Sequence, residues 1–305
     1  MTMPNFLVIG VGKAGTTSLH HYLKQHPDIF MSPSKEPSYF SMVCIDPDKL
    51  RTRTWWKNKV IVSEPAAYQA LFDGARGQSA IGECSPVYFS DPAVPKRIRD
   101  DLPDVKLIAV LRHPVDRAYS QYSHRVRDGL ERCRSFAEAF HRNRPFSDRP
   151  GALSYREKGF YFPPLQRYFR HFHRNRLKIF LYEDLCAGAA DMLRDIFTYL
   201  EVEPDFEIDM RVKYNLSGTP RSVRLQRALD PNSSFASWVR RFVPPALASR
   251  VRQGVQRVNL ERTALRPSLR AELTEDFRED ILKTQDLIDR DLTHWFTGTS
   301  EAEKA

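Results

Sequence analysis

Short apolar runs recur along the chain at the spacing of an α/β protein. The clearest lie near residues 6–10, 79–84, 105–111 and 177–182, and a shorter run lies at 29–32. Runs without polar alternation are typical of parallel strands that helices cover on both faces. Between the first two strands, Leu19, Tyr22 and Leu23 recur at helical spacing. The pattern therefore predicts an α/β fold, a three-layer sandwich with a central parallel sheet.

A glycine-rich loop joins the first strand to the first helix. The loop, 10–15, reads GVGKAG, and Thr16, Thr17 and Ser18 open the helix. Glycine allows a tight backbone that approaches an anion closely, and the first N–H groups of a helix bind phosphate readily. The loop is therefore a candidate phosphate site.

This loop differs from the P-loop of nucleotide triphosphatases at one position. Gly10, Gly15 and Thr17 fit the pattern G-x-x-x-x-G-K-[ST], but Thr16 occupies the place of the lysine. The lysine of the loop, Lys13, stands nearer to the loop mouth. We therefore expect a phosphate that carries a transferable group other than the γ-phosphate of ATP. A P-loop nucleotide kinase that uses ATP and Mg²⁺, and a non-catalytic anion-binding protein, are the alternatives.

Charge and composition narrow the class of ligand and the compartment. Of the 305 residues, 41% are hydrophobic and 28% are charged, as in soluble globular proteins. The 47 basic and 38 acidic residues give a net charge of +9, which suits anionic ligands. Nucleic acid is not expected as a partner, because the sequence lacks the usual recognition motifs.

The four cysteines lack the spacing of a zinc site. No apolar run approaches the ~20 residues of a membrane helix. The first strand begins too early for a signal peptide, so a cytoplasmic location is expected if this is the whole chain.

A second candidate phosphate site follows the strand at 105–111. Arg112 comes directly after the strand, Pro114 favours a helix start, and Ser120 lies about two turns into that helix. The planar guanidinium of arginine pairs with phosphate through two parallel hydrogen bonds. In open α/β sheets ligands bind at the carboxyl ends of the strands, which is where both this arginine and the glycine-rich loop are expected.

Together these motifs resemble those of the sulfotransferases that use 3′-phosphoadenosine 5′-phosphosulfate (PAPS). Residues 13–19, KAGTTSL, resemble the loop that binds the 5′-phosphosulfate, and 112–120 resembles the family's 3′-phosphate motif, R-x-P-x-x-R-x-x-S. The resemblance implies a P-loop NTPase-like sulfotransferase fold. It also implies transfer of a sulfuryl group from PAPS to a hydroxyl or amine of a small-molecule or glycan acceptor, without a metal. The residues that it implies for PAPS binding are Lys13, Ala14, Gly15, Thr16, Thr17 and Ser18 at the 5′ end, and Arg112 and Ser120 at the 3′-phosphate. Lys13 would also stabilise charge on the leaving group.

The loop at 33–40 supplies a candidate catalytic base. Its sequence resembles the K-E-x-x-[FY]-F segment of the heparan-type branch of the family, in which the glutamate is the base, and Glu36 is the matching residue. A carboxylate can take the proton that an acceptor hydroxyl loses as it attacks sulfur. Three residues differ from that branch: Ser38 and Ser41 replace a His and an Asp, and Cys84 replaces a Lys. The acceptor is therefore left open, with sugar, lipid, phenol and small metabolite as alternatives.

The later part of the chain adds weaker candidates. Tyr182, in a Y-E-D-L signature similar to that of the family, either stacks on adenine or packs in the core. Arg221 lies in a turn-rich loop of the kind that closes over the 3′-phosphate in this family. The basic segment 231–268 is interpreted as a helical insertion that contacts an anionic acceptor, a membrane surface or only solvent. Apolar residues at near-four spacing over 269–296 predict one closing helix. The whole chain, 1–305, is expected to form a single domain, and its oligomeric state is left open.

Overall fold

Five parallel strands form the central sheet of the protein. The computed structural model describes residues 2–43, 45, 62–145, 152–211, 219–220, 260–261 and 265–297. The strands are β1 (Phe6–Gly10), β2 (Ile29–Met31), β3 (Ala80–Cys84), β4 (Lys106–Leu111) and β5 (Leu177–Leu181). Their order in the sheet is β2-β3-β1-β4-β5, and every neighbouring pair is parallel. The predicted parallel sheet is confirmed. A separate antiparallel pair joins β6 (Thr219–Pro220) to β7 (Leu260–Glu261).

Helices connect and flank these strands, which confirms the predicted α/β P-loop-like fold. In chain order they are α1 (Thr16–Leu23), α2 (Tyr39–Met42), α3 (Pro65–Ala70), α4 (Val94–Asp101), α5 (Pro114–Arg127), α6 (Phe136–His141), α7 (Phe162–His171), α8 (Tyr182–Ala187), α9 (Ala189–Leu200), α10 (Pro267–Glu275), α11 (Arg278–Ile288) and α12 (His294–Thr297). Two short 3₁₀ turns lie at Glu157–Gly159 and Arg174–Arg176. Among the described residues, none of the helices combines the length and apolar character that a membrane crossing requires.

The two central strands are buried on both faces. Residues 6–9 of β1 and 107–111 of β4 are fully buried. Each large apolar side chain that is removed from water in this way contributes about 1.5–3 kcal/mol. This two-sided burial explains why the sequence shows uninterrupted apolar runs here rather than an alternation.

The connections of the sheet change direction between β1 and β4. From β1 the chain passes through α1 to β2, which is the strand at one edge of the sheet. From β4 it passes through α5, α6 and α7 to β5, which is the strand at the opposite edge. Ligands of open α/β sheets bind in the crevice outside the carboxyl ends of the strands at such a reversal. The glycine-rich loop after β1 and Arg112 after β4 therefore flank the expected ligand crevice.

Two predicted elements differ from the structure. β5 ends at Leu181, one residue before its predicted end, because the Leu181 N–H donates to Asp184 Oδ2 at 2.8 Å and helix α8 begins at Tyr182. The predicted closing helix over 269–296 is instead three helices, α10, α11 and α12. The first break places Phe277 in the core, where it is fully buried, and the second occurs where Asp289 adopts a left-handed backbone (φ 53°).

Candidate active site

The N-cap of helix α1 is a glycine that no other residue could replace without strain. Gly15 has a left-handed backbone (φ 75°), and a Cβ there would clash with the Leu185 side chain and lie 3.1 Å from Tyr182 Cε2. As the N-cap it offers no side chain to the first N–H groups of α1, and the first turn contains no acidic residue. The first N–H groups of a helix have no intrahelical partner and carry its positive end. The predicted residues Ala14 and Thr16–Ser18 thus surround a helix start that is suited to an anion.

Lys13 lies in the same loop among other cations. It also has a left-handed backbone, with φ 75°. Its pKa is lowered from 10.5 to about 8, mainly by burial and also by the charges of Arg127 and Arg112, whereas Asp128 and Glu36 oppose this shift. Cations that lower one another's pKa favour an anionic ligand, because its charge would reverse that effect. The predicted base, Glu36, therefore lies within electrostatic range of Lys13.

Arg112 links the two predicted phosphate motifs. Its Nη1 donates to the carbonyl oxygen of Lys13 at 2.7 Å. Its guanidinium lies over the ring of Tyr182, at 4.4 Å from the ring centroid, and the Tyr161 hydroxyl donates to the Arg112 carbonyl at 2.6 Å. Ser120, the second residue of the predicted 3′-phosphate motif, is buried on α5. The arginine after β4 is thus directed towards the glycine-rich loop after β1.

Tyr182 makes packing contacts on two sides in this arrangement. Arg112 covers one part of its ring, and the ring edge lies against Gly15. Helix α8, which begins with this residue, is fixed from the C-terminal part of the chain: Trp295 Nε1 donates to Glu183 Oε1 at 2.7 Å. These contacts make Tyr182 a support for Arg112, and stacking on adenine stays a prediction.

Glu36 lies in the loop between β2 and α2, beside the carboxyl end of β3. Its side chain is about one-third exposed, and Lys35 Nζ lies 2.8 Å from Glu36 Oε1. Although burial opposes the charged form, neighbouring groups, Cys84 and Glu36 foremost, raise the pKa of Lys35. The backbone N–H of Glu36 donates to the Cys84 carbonyl at 3.0 Å. Because β3 neighbours β1 in the sheet, this loop lies next to the glycine-rich loop.

The structure adds residues to this site that the sequence did not identify. Arg127, at the end of α5, interacts electrostatically with Lys13 and pairs with Asp128 (Nε to Oδ1, 2.9 Å). Nothing in the sequence distinguishes it within an arginine-rich stretch. Lys35 belongs to the K-E segment, but the sequence predicts no role for it. Arg221 and most of the basic segment 231–268 lie outside the described residues.

Taken together, the fold and this site define a P-loop-like α/β protein whose cations converge on a glycine-rich loop. A family model described as "Sulfotransferase family" matches residues 4–207, which is more than half of the chain. The protein therefore belongs to the sulfotransferase family, and the predicted family resemblance is confirmed.

Solved and curated relatives agree with this assignment. The crystal structure of a sulfotransferase from Alicyclobacillus acidocaldarius superimposes with a TM-score of 0.71 at 30% identity, covering 97% of this chain and 99% of that chain. The bovine (Bos taurus) bifunctional heparan sulfate N-deacetylase/N-sulfotransferase 2 is 29% identical over 211 residues, which cover 66% of this chain and 22% of the relative. The mouse (Mus musculus) heparan sulfate glucosamine 3-O-sulfotransferase 3B1 is 29% identical over 198 residues, covering 65% of this chain and 46% of the relative. The chain thus spans less than half the length of these two curated relatives.

Proposed function

We propose that the protein transfers a sulfuryl group from PAPS to a hydroxyl or amine of a carbohydrate acceptor. The observation that carries this proposal is the 2.7 Å hydrogen bond from Arg112 Nη1 to the Lys13 carbonyl. It brings Arg112, the candidate ligand of the 3′-phosphate, and the candidate 5′-phosphosulfate loop into one site. ATP lacks a 3′-phosphate, so a site with both features suits PAPS better than ATP.

The residues present fit the two anionic ends of PAPS. The backbone N–H groups of 14–18 and the hydroxyls of Thr16, Thr17 and Ser18 would hold the 5′-phosphosulfate, where a left-handed Gly15 leaves room for close approach. Arg112 and Ser120 would hold the 3′-phosphate, and Tyr182 would keep the guanidinium in place. PAPS supplies the sulfuryl group in the reaction.

Glu36 and Lys13 divide the chemistry between them. Glu36 would accept the proton of the acceptor hydroxyl or amine as the new bond to sulfur forms. The bond from sulfur to the phosphate oxygen breaks at the same time, and Lys13 would stabilise the charge that grows on that oxygen. Lys35, 2.8 Å from Glu36 Oε1, would hold the carboxylate in position. The absence of a metal requirement stays a prediction.

A carbohydrate is the acceptor class that the relatives favour. Two of them are named for transfer to heparan sulfate, at nitrogen or at the 3-O position. This chain differs from the heparan-type branch near Glu36, where Ser38 and Ser41 replace a His and an Asp, and at the fully buried Cys84, which replaces a Lys. We therefore propose a glycan amine or hydroxyl, but not the same acceptor sequence. A small-molecule acceptor and a cytoplasmic location stay predictions.

Calorimetric titration tests the donor first. The chain is titrated with adenosine 3′,5′-bisphosphate and, separately, with ATP and Mg²⁺ in moderate salt. We expect tight binding of the bisphosphate and little binding of ATP. The reverse result would overturn the assignment of Lys13 and Arg112 and favour a nucleotide kinase, and no binding of either would favour a protein without this chemistry. Release of adenosine 3′,5′-bisphosphate from PAPS with N-desulfated heparan oligosaccharides, compared with simple phenols, then tests the acceptor class.

A further inference from the structure

A buried carboxyl group lies directly behind the loop that carries Glu36. Glu83, in β3, is completely buried. The Ser85 hydroxyl donates to Glu83 Oε2 at 2.7 Å, and the Tyr68 hydroxyl donates to Glu83 Oε1 at 3.4 Å. The Tyr88 side chain is hydrogen-bonded to the same carboxyl. Three hydroxyl groups from two parts of the chain therefore surround one carboxyl group that has no part in the proposed chemistry.

Two of these hydroxyls also hold the backbone of the Glu36 loop. The Ser38 N–H donates to Ser85 Oγ at 3.0 Å, and the Phe40 N–H donates to Tyr88 Oη at 3.4 Å. Each hydroxyl thus uses its hydrogen on Glu83 and accepts an N–H of the loop. Hydrogen bonds linked in this way strengthen one another, because a hydroxyl that donates becomes a better acceptor.

The loop needs such support because its backbone is strained. Glu36 and Ser38 both have left-handed conformations, with φ of 59° and 58°. This conformation is unfavourable for residues other than glycine, so it persists where the surroundings impose it. The carbonyl of Cys84 accepts the N–H of Glu36 itself at 3.0 Å. Alternate N–H groups of the loop are therefore fixed to the end of β3 and the turn that follows it.

We propose that Glu83 is a positioning residue for the reaction. Through Ser85 and Tyr88 it fixes the loop backbone at Ser38 and Phe40, and so holds the Glu36 carboxylate where the acceptor must lose its proton. Above pH 7, where Glu83 is ionised, its carboxylate only accepts hydrogen bonds, so it turns both hydroxyl hydrogens inwards and leaves their lone pairs for the loop. The amide of a glutamine would donate to one hydroxyl and turn it away. This inference rests on the proposed role of Glu36.

Amide hydrogen exchange tests whether Glu83 holds the loop backbone through Ser85 and Tyr88, and it does so independently of any acceptor. The full chain, saturated with adenosine 3′,5′-bisphosphate at about pH 8, where Glu83 is ionised, is compared with Glu83→Gln and Ser85→Ala. We expect the amides of Ser38 and Phe40 to exchange at least about tenfold faster in Glu83→Gln, and that of Ser38 to do so in Ser85→Ala. Ser41→Ala is the matched control, because Ser41 is buried nearby and its Oγ has no hydrogen-bond partner among the described residues. Unchanged exchange at both amides in both variants would overturn the inference.

Turnover distinguishes positioning from a merely structural role. With PAPS and N-desulfated heparan oligosaccharides, Glu83→Gln and Ser85→Ala are expected to lower kcat at least about tenfold while KM for PAPS and bisphosphate binding stay within about twofold. A rise in KM with unchanged kcat would contradict positioning. If Glu36→Gln retains wild-type kcat, or if the wild type does not transfer to this acceptor, the proposed function fails instead. The exchange rates alone then decide whether Glu83 holds the loop backbone.

Discussion

Replacing the buried Glu83 by glutamine is expected to change how the free energy of unfolding depends on pH. Burial raises the pKa of Glu83 from 4.5 to about 7, against the opposing hydrogen bonds of Tyr88, Ser85 and Tyr68. Between pH 4.5 and 7 the folded protein therefore holds a proton at this position that the unfolded chain has released. Stability from this group is fully present below pH 4.5 and is lost as the pH rises through 7. The shift corresponds to about 3 kcal/mol, at about 1.36 kcal/mol per pKa unit.

Urea unfolding of the wild type and of Glu83→Gln at a series of pH values from 5 to 8 measures this effect. Glutamine does not titrate, so the variant lacks the loss of stability. We expect the difference in unfolding free energy to move in favour of the variant by about 2–3 kcal/mol over this range. Glu272→Gln, at an exposed position of α10, is the control for the loss of a glutamate. A difference between Glu83→Gln and wild type that does not change with pH would refute the reasoning, because it would show that folding does not raise the pKa of Glu83.

The remaining predictions concern the proposed reaction. Lys13→Ala should lower turnover by at least about 100-fold. The control Lys24→Ala removes an exposed lysine and should leave turnover near wild type. Near-normal turnover of Lys13→Ala would exclude the proposed role of Lys13. Arg112→Ala should weaken binding of adenosine 3′,5′-bisphosphate by about 10–100-fold, as expected for a lost charge-assisted hydrogen bond, and should affect adenosine 5′-phosphate far less; calorimetry that finds equal losses would argue against a 3′-phosphate site. Glu36→Gln should lose transfer and keep bisphosphate affinity, and an active variant would require another base. Because burial lowers the pKa of Lys13 to about 8, bisphosphate affinity should fall as the pH rises above 8, and this fall should be absent in Lys13→Ala.

The sheet, and the placement of the two candidate phosphate motifs at one edge of it, could be predicted because their causes are local. Two-sided burial leaves an apolar run in β1 and β4, and parallel strands bring their carboxyl ends to one edge. The start of α8 at Tyr182 could not be predicted, because Tyr182 extends the apolar run of β5 by one residue and the capping contact from Asp184 ends the strand before it. The three C-terminal helices keep one apolar spacing across their breaks, so the sequence shows a single helix. The environment of Glu83 depends on Tyr68, which lies in helix α3, and no local signal indicates this contact.

The placement of Arg112 depends on residues far along the chain from the motif that contains it. Arg270, in α10, forms a buried bidentate ion pair with Asp116 in the first turn of α5 (Nε to Oδ1, 3.0 Å; Nη2 to Oδ2, 3.1 Å). Asp280, in α11, accepts the N–H of Tyr161 at 2.7 Å, and the Tyr161 hydroxyl in turn binds the Arg112 carbonyl.

Tyr182, over which Arg112 lies, is held from the same C-terminal segment. Arg290 Nη1 donates to Asp184 Oδ2 at 2.7 Å, and Trp295 Nε1 binds Glu183. All of these C-terminal partners lie beyond residue 207, where the match to the family model ends. The arginine that faces the glycine-rich loop is therefore held in place by the C-terminal segment from α10 to α12. The C-terminal helices thus belong to the candidate active site, although none of their residues was predicted to contact a ligand.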